Sequence, residues 1–219
     1  MPKVTDEYLS DKKNFILECT SEILHEKPLY LVTMRDIIKK AGFSHGVIYR
    51  YYSNLDEIFV DLVNKNIAHN LLEQKIDILL NSKQPEKTIL SDCIIAMGEY
   101  IEKLLNSAGG KTCFELVVYY AYDLEKKASL FPRLKFKQSL EYAQNRIVEY
   151  AMSNVDKGVF RPQIPVRSII LFVSAFIDGI SQMWYATRQG AINYDSASAT
   201  DIPEMFQTLA KAVICFLGA

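Results

Sequence analysis

Residues able to carry catalytic chemistry are scarce in this 219-residue chain, which has three histidines, one tryptophan and four cysteines. His25, His45 and His69 lie too far apart to be joined by any metal-ligand spacing, and there is no glycine-rich phosphate loop and no nucleophile elbow. No enzyme activity, metal or cofactor is therefore expected. Cys19, Cys93, Cys113 and Cys215 form no CxxC pair, and each falls in a helical, largely apolar setting. They read as reduced core thiols of a cytoplasmic protein, with a redox-sensing thiol at Cys93 or Cys113 as the alternative. Net charge is equally sparse: 25 basic against 26 acidic side chains leave −1, which excludes a general nucleic-acid coat protein and requires any DNA binding to be local. The polar first thirteen residues lack the apolar core of a signal peptide. The most apolar run, 169–177, is well short of the roughly 20 residues a membrane span needs, so it reads as a buried helix and no membrane partner is expected.

What the chain does have is apolar residues at helical spacing almost throughout, with 49% hydrophobic content and no period-two alternation. It reads as all-α, with about nine helices. The first runs from Thr5 or Ser10 to Glu26 and is stopped by Pro28. Two short helices follow within residues 33–52. A long fourth helix is expected from Asp56 to about Asn81, and a fifth from Glu86, with Pro85 in its first turn. A sixth spans about 112–127, and a seventh runs from 133 to 157 between Phe131-Pro132 and Gly158. An eighth covers 166–189 and a last one 201–217. The division expected is a three-helix head, residues 1–53, and a larger helical domain, residues 54–219.

The head is organised by residues 33–59, TMRDIIKKAGFSHGVIYRYYSNLDEIF. Thr33 can cap a helix, with Asp36 reaching back in capping-box fashion. Gly42 stands where a helix ends in a left-handed residue. Ser44 can cap the next helix, in which Val47, Ile48 and Tyr51 can turn inward. A capped helix, a glycine turn and a second capped helix make a helix-turn-helix, which places its second helix in the DNA major groove.

Thr33, Asp36-Ile37, Ala41-Gly42-Phe43-Ser44, Gly46, Ile48-Tyr49 and Tyr51-Tyr52 resemble the N-terminal signature of the tetracycline-repressor-like (TetR) family. The resemblance covers about the first quarter of the chain and is carried by the pattern as a whole. It implies a transcriptional regulator, a repressor, that binds a palindromic double-stranded DNA operator as a homodimer and is released by a small-molecule effector. Tyr49 and Tyr51 are then phosphate contacts, and Tyr52 belongs to the core. The family also carries a phosphate-contacting lysine at the start of its fourth helix, where this chain has Leu55.

By position, Ser44, His45, Gly46 and Val47 open the reading helix, where base edges are met, and Gly46 allows close approach. Thr33 can offer a hydroxyl or N–H to a phosphate, and Lys39 and Arg50 are further phosphate candidates. Helices five to eight are rich in aromatic and sulfur-bearing side chains, which build either a core or a pocket. The resemblance implies an effector pocket there, with Met97, Tyr100, Phe114, Tyr120, Phe172, Phe176, Asp178 and Trp184 as its candidates. Asp178 is the odd residue in an apolar helix; it can meet a cationic ligand, pair with an arginine or face solvent. The last two helices are apolar on more than one side, as a four-helix bundle between two copies requires, though an intramolecular core uses the same pattern. A second reading of the whole chain is a helical ligand-binding or partner-binding protein with little specific DNA affinity, favoured by Leu55 and the acidic first helix.

Overall fold

The computed structural model describes residues 6–65, 71–107, 109–188 and 201–219, and among them every regular element is helical. Eleven α-helices occur: α1 (Asp6–Glu26), α2 (Met34–Ala41), α3 (His45–Tyr51), α4 (Leu55–Lys65), α5 (Leu71–Leu80), α6 (Glu86–Asn106), α7 (Gly110–Tyr119), α8 (Leu124–Leu130), α9 (Lys135–Asp156), α10 (Val166–Arg188) and α11 (Ile202–Phe216). The count exceeds nine for two reasons. The expected sixth helix breaks after Tyr119, because the Asp123 carboxylate accepts from the Lys126 N–H and starts a new helix there. The expected long fourth helix would cross residues 66–70, which lie outside the described residues, as does the expected loop 190–200.

The chain forms two compact units. The first comprises Met1–Ile67 and Ser107–Lys135; the second comprises Ala68–Asn106 and Phe136–Ala219. This partition does not fall at 53/54: α4, α7 and α8 are gathered with the head. Three polar clamps explain why. At the first, Lys111 Nζ donates to the Leu24 carbonyl (3.1 Å), while Glu115 Oε2 accepts from the Leu29 N–H (3.0 Å). At the second, the Tyr120 hydroxyl donates to Asp56 Oδ1 (2.5 Å) and Lys126 pairs with the other oxygen of that buried carboxylate. At the third, Asn64 donates to the Arg133 carbonyl (2.8 Å) and accepts from the Lys135 N–H (2.9 Å). Buried polar groups are costly unless partnered, so the buried second clamp fixes its segment most firmly, with the part-buried first and the more exposed third adding to it.

In the second unit α6 packs against α5 and α11. Gly98 on α6 makes the α11 contact possible: a Cβ there would stand 2.4 Å from Phe206 Cγ. Asp77 on α5 accepts from Tyr142 (2.7 Å) and Arg146 (3.2 Å) of α9, and Glu73 accepts from Ser139 (2.7 Å). The connector after α9 is tied to the end of α11 by Arg161 and Gln163 N–H groups bonded to the Leu217 and Phe216 carbonyls.

Two expectations need correction. Helix α10 is not buried: only Ile169, Ile180 and Trp184 are, whereas Leu171 is 59% and Phe172 43% exposed. Its apolar residues run round the helix, so one packed side leaves another uncovered, and the whole helix is long and apolar enough, by length and composition, to cross a bilayer. Among the cysteines, Cys19, Cys93 and Cys113 are buried but Cys215 is exposed, on the outer side of the last turn of α11. Burial, followed by Asp92, pushes the Cys93 thiol up to about 12, which makes it a poor redox nucleophile.

Candidate nucleic-acid interface and effector cavity

Helix α2 starts on a complete capping box. The Asp36 N–H donates to Thr33 Oγ1 (3.3 Å), the Thr33 hydroxyl donates to Asp36 Oδ2 (2.7 Å), and the Thr33 N–H donates to the same oxygen (2.8 Å). Lys27 adds an ion pair at 2.6 Å. Together Lys27 and then Thr33 hold the Asp36 carboxyl down at about 2. Thr33 is exposed at the N-terminus of α2, where the Asp36 carboxylate is the anion that takes up its hydroxyl proton and its N–H. Gly42 ends α2 at φ 67°, and its N–H closes on the Ile38 carbonyl. Ile37 and Ile48 are fully buried and fasten α2 and α3 to the head's core.

Ser44 stands at the start of α3, but its side chain makes no capping bond. Its carbonyl accepts from Val47 and Ile48 instead, and the hydroxyl is left exposed. His45, Gly46, Tyr49 and Arg50 form the exposed side of α3, while Val47 and Tyr51 are half-buried and Tyr52 is core. The His45 and Tyr49 rings, one turn apart, are stacked at 4.9 Å and 17°. Nothing lies within 4 Å of where a Gly46 Cβ would be, so packing does not require glycine at this position. At the start of α4, Asn54 caps the helix by accepting from the Glu57 N–H (3.0 Å), and the Glu57 carboxylate accepts from the Ser53 N–H (2.8 Å). Leu55, half-buried, is the first residue of that helix.

Acidic side chains take up several of the head's cations. Lys40 pairs with Glu22 (2.8 Å) and Glu26 (3.9 Å), Lys65 with Glu18 (3.4 Å) and Lys13 with Asp61 (3.7 Å). Glu22 also raises the ammonium pKa of Lys40. Among the described residues Arg35, Lys39 and Arg50 make no ion pair, so their charge stays on α2 and α3. Sequence reasoning missed Lys12, whose ammonium lies 4.8 Å from the centroid of the Phe43 ring in the turn between α2 and α3. No sequence spacing links residue 12 to 43; the two meet only in the fold.

The second unit holds an apolar cavity of about 70 Å³ between α6, α9, α10 and α11. Its walls are aliphatic, with Leu90, Ile147, Ile169, Val173, Leu209 and Val213 among them, plus Met97 and Phe206; Gln144 is the polar exception. Of the eight candidates from sequence, Met97 is the one that lines it. Tyr100 is on α6 but outside the lining. Phe176 meets Phe206 edge-on at 5.6 Å behind the wall, and Phe172 meets Phe216 at 5.5 Å on the exposed side. Asp178 is exposed, and so is spared the cost of burial that made it a ligand candidate. Phe114 and Tyr120 belong to the other compact unit, where Tyr120 is engaged by Asp56. Trp184 instead lines a second cavity of about 430 Å³, with Glu102, Asn106 and Asp201. There Arg188 lies 5.4 Å over the Trp184 ring and donates to Asn106 (2.7 Å). The signal for the apolar cavity was the aliphatic series Val166, Ile169, Ile170, Val173 and Ile177, a single face of α10.

Residues 16–62 match the family model described as bacterial regulatory proteins, tetR family. The HTH-type transcriptional regulator YfiR of Bacillus subtilis, itself uncharacterized, is 25% identical over 183 residues, 83% of each chain. The HTH-type transcriptional repressor KstR2 of Mycobacterium tuberculosis is 24% identical over 178 residues, 81% of this chain and 82% of its own. A solved structure of the transcriptional regulator FadR of Bacillus subtilis, in complex with stearoyl-CoA, has a TM-score of 0.55 and 17% identity. It covers 92% of this chain and 97% of its own, and at that identity the likeness is one of fold.

Proposed function

We propose, for this member of the TetR family of transcriptional regulators, that two copies present α3 to a palindromic operator in duplex DNA and repress until an apolar small molecule releases them. The observation that carries the reading is the head itself. A boxed α2, a left-handed Gly42 and a short α3 with His45, Gly46, Tyr49 and Arg50 exposed form the geometry that enters a major groove. Ser44, His45, Gly46 and Val47 read base edges. Thr33, Lys39, Tyr49, Arg50 and Tyr51 hold phosphates.

The effector enters the aliphatic cavity. With Gln144 as its one polar wall residue, that space accepts an uncharged, apolar portion of a ligand. The stearoyl-CoA held by FadR supports this class of ligand. Pockets for small molecules measure roughly 300–1,000 Å³, so about 70 Å³ admits such a ligand only in a widened form. Affinity for the widened state alone is the differential binding that shifts a two-state equilibrium and lowers operator affinity. A second copy covers the exposed face of α10 around Leu171 and Phe172, with α11 completing a four-helix bundle. Two heads then meet half-sites about 34–36 Å apart.

Duplexes retained by the purified protein from genomic fragments, titrated by fluorescence anisotropy with and without long-chain acyl compounds, test the reading. An acyl compound that binds and leaves operator affinity unchanged would contradict it, as would a monomer by light scattering at micromolar concentration. Leu55 and the acidic first helix favour the alternative, a helical ligand-binding or partner-binding protein with little specific DNA affinity. That protein would retain no specific duplex at any salt concentration, whereas the proposed regulator binds with a steep salt dependence.

A further inference from the structure

We propose that Lys12, on α1, is a DNA phosphate contact of the head, an inference that rests on the DNA-binding reading above. The lysines and arginines from Asp6 to Lys65, α1 to α4, fall into two groups. Lys13, Lys27, Lys40 and Lys65 are tied to carboxylates. Lys12, Arg35, Lys39 and Arg50 make no ion pair among the described residues. Three of that second group lie on α2 and α3; Lys12 alone comes from α1.

Aromatic rings hold it in place. Its ammonium stands 4.8 Å from the Phe43 centroid and 5.5 Å from that of Tyr8, and Phe15 supports Phe43 at 5.6 Å. A ring face attracts a cation through its quadrupole and, unlike a carboxylate, leaves the full positive charge in place. Phe43 lies in the turn, two positions before His45, the first residue of α3. An un-neutralised cation is thus held at the corner from which the reading helix enters the groove, where phosphates of the duplex backbone flank it. The same charge offsets the cation missing at Leu55.

The salt dependence of binding counts such contacts, because each neutralised phosphate contributes about 0.9 to the slope of log K against log salt. The test uses the full-length chain and a duplex that the native protein selects from a random pool. One contact per protomer in a dimer predicts that Lys12→Met lowers the slope by about 1.8. Equivalently, the fall in affinity between 50 and 200 mM salt shrinks about twelvefold. Selected and random duplexes weaken alike, since a phosphate contact carries no sequence information. Lys12→Arg keeps the slope, and so does Lys13→Met, whose charge is already paired with Asp61. Circular dichroism checks folding, and Lys12→Gln replaces any unfolded Met variant. A native slope in Lys12→Met overturns this proposal alone, as does an equal loss in Lys13→Met. Failure of the native chain to select any duplex overturns the DNA-binding reading and this contact with it.

Discussion

Replacing Tyr120 by phenylalanine removes one hydroxyl and keeps the ring, so it isolates the hydrogen bond that the hydroxyl gives to Asp56 at 2.5 Å. Both residues are buried, so water cannot stand in for the lost donor. A hydrogen bond to a charged group contributes about 1.5–3 kcal/mol, and because Lys126 remains on the other carboxylate oxygen, the expected loss is about 1.5–2 kcal/mol. For a chain of this size that corresponds to a melting temperature lower by about 3–8 °C. Urea unfolding followed by both tyrosine fluorescence and circular dichroism measures it, two probes being needed because the two compact units can melt separately. Lys126, whose side chain is 44% exposed, adds a partly screened pair, so Lys126→Met is expected to cost less, about 1 kcal/mol at most. Burial, followed by the bond to Asp56, raises the Tyr120 pKa above its ordinary value of 10.0. Its contribution is therefore full below about pH 10 and is lost as pH rises through the raised value. A Tyr120→Phe loss under about 0.5 kcal/mol, or one smaller than that of Lys126→Met, would refute the reading of this buried bond as a clamp between the segment 107–135 and α4.

Gly98→Ala should destabilise the second unit by about 1–3 kcal/mol despite a gain of about 1 kcal/mol in helix propensity, because the new Cβ meets Phe206 Cγ at 2.4 Å. Partial rescue by Phe206→Leu in the same denaturation assay confirms the cause. Asp36→Asn should cost about 0.5–1 kcal/mol at pH 7, after discounting for solvent screening of a pair that is only half-buried. The folded carboxyl pKa is depressed from 3.8 to about 2, so this contribution is present above the unfolded value and fades as pH falls between them. Native and variant stabilities should therefore converge over that interval in acid titrations. Leu55→Lys should steepen the salt dependence of operator binding by about 1.8 for a dimer, and an unchanged slope would mean that the start of α4 does not reach the backbone.

The head was legible in the sequence because its information is local. A capping box spans four residues, and a left-handed glycine announces its own turn, so Thr33, Asp36 and Gly42 could be placed without any partner. The attachment of α7 and α8 was not legible. Glu115 meets Leu29 across 86 positions and Tyr120 meets Asp56 across 64, and no periodicity encodes such a meeting. Within 112–127, helical apolar spacing hid the cap at Asp123 that splits the segment. For the cavity, aromatic content was the wrong guide: Phe172 and Phe176 turn away from it, and the branched aliphatic face of the same helix lines it. The acidic first helix likewise suggested a weakly basic head, yet its carboxylates spend themselves on Lys40 and Lys65 and spare the cations of α2 and α3.

The three clamps that bind residues 107–135 to the head also set an order of events during synthesis. Lys111, Glu115, Tyr120, Lys126 and Lys135 emerge from the ribosome long after α1 to α4, and the sequence between them belongs to the other unit. Until Tyr120 and Lys126 are made, the Asp56 carboxylate lacks both of these partners, and until Lys111 is made the Leu24 carbonyl lacks its own. The head is thus a discontinuous body, completed by a returning strand of chain rather than by its own N-terminal residues. Distant closures of this kind slow folding and leave incomplete species exposed. A fragment cut after Ile67 would be an open half of this body, and an insertion tolerated between the units is better placed where the chain crosses at 106/107, after the end of α6, than inside the returning segment.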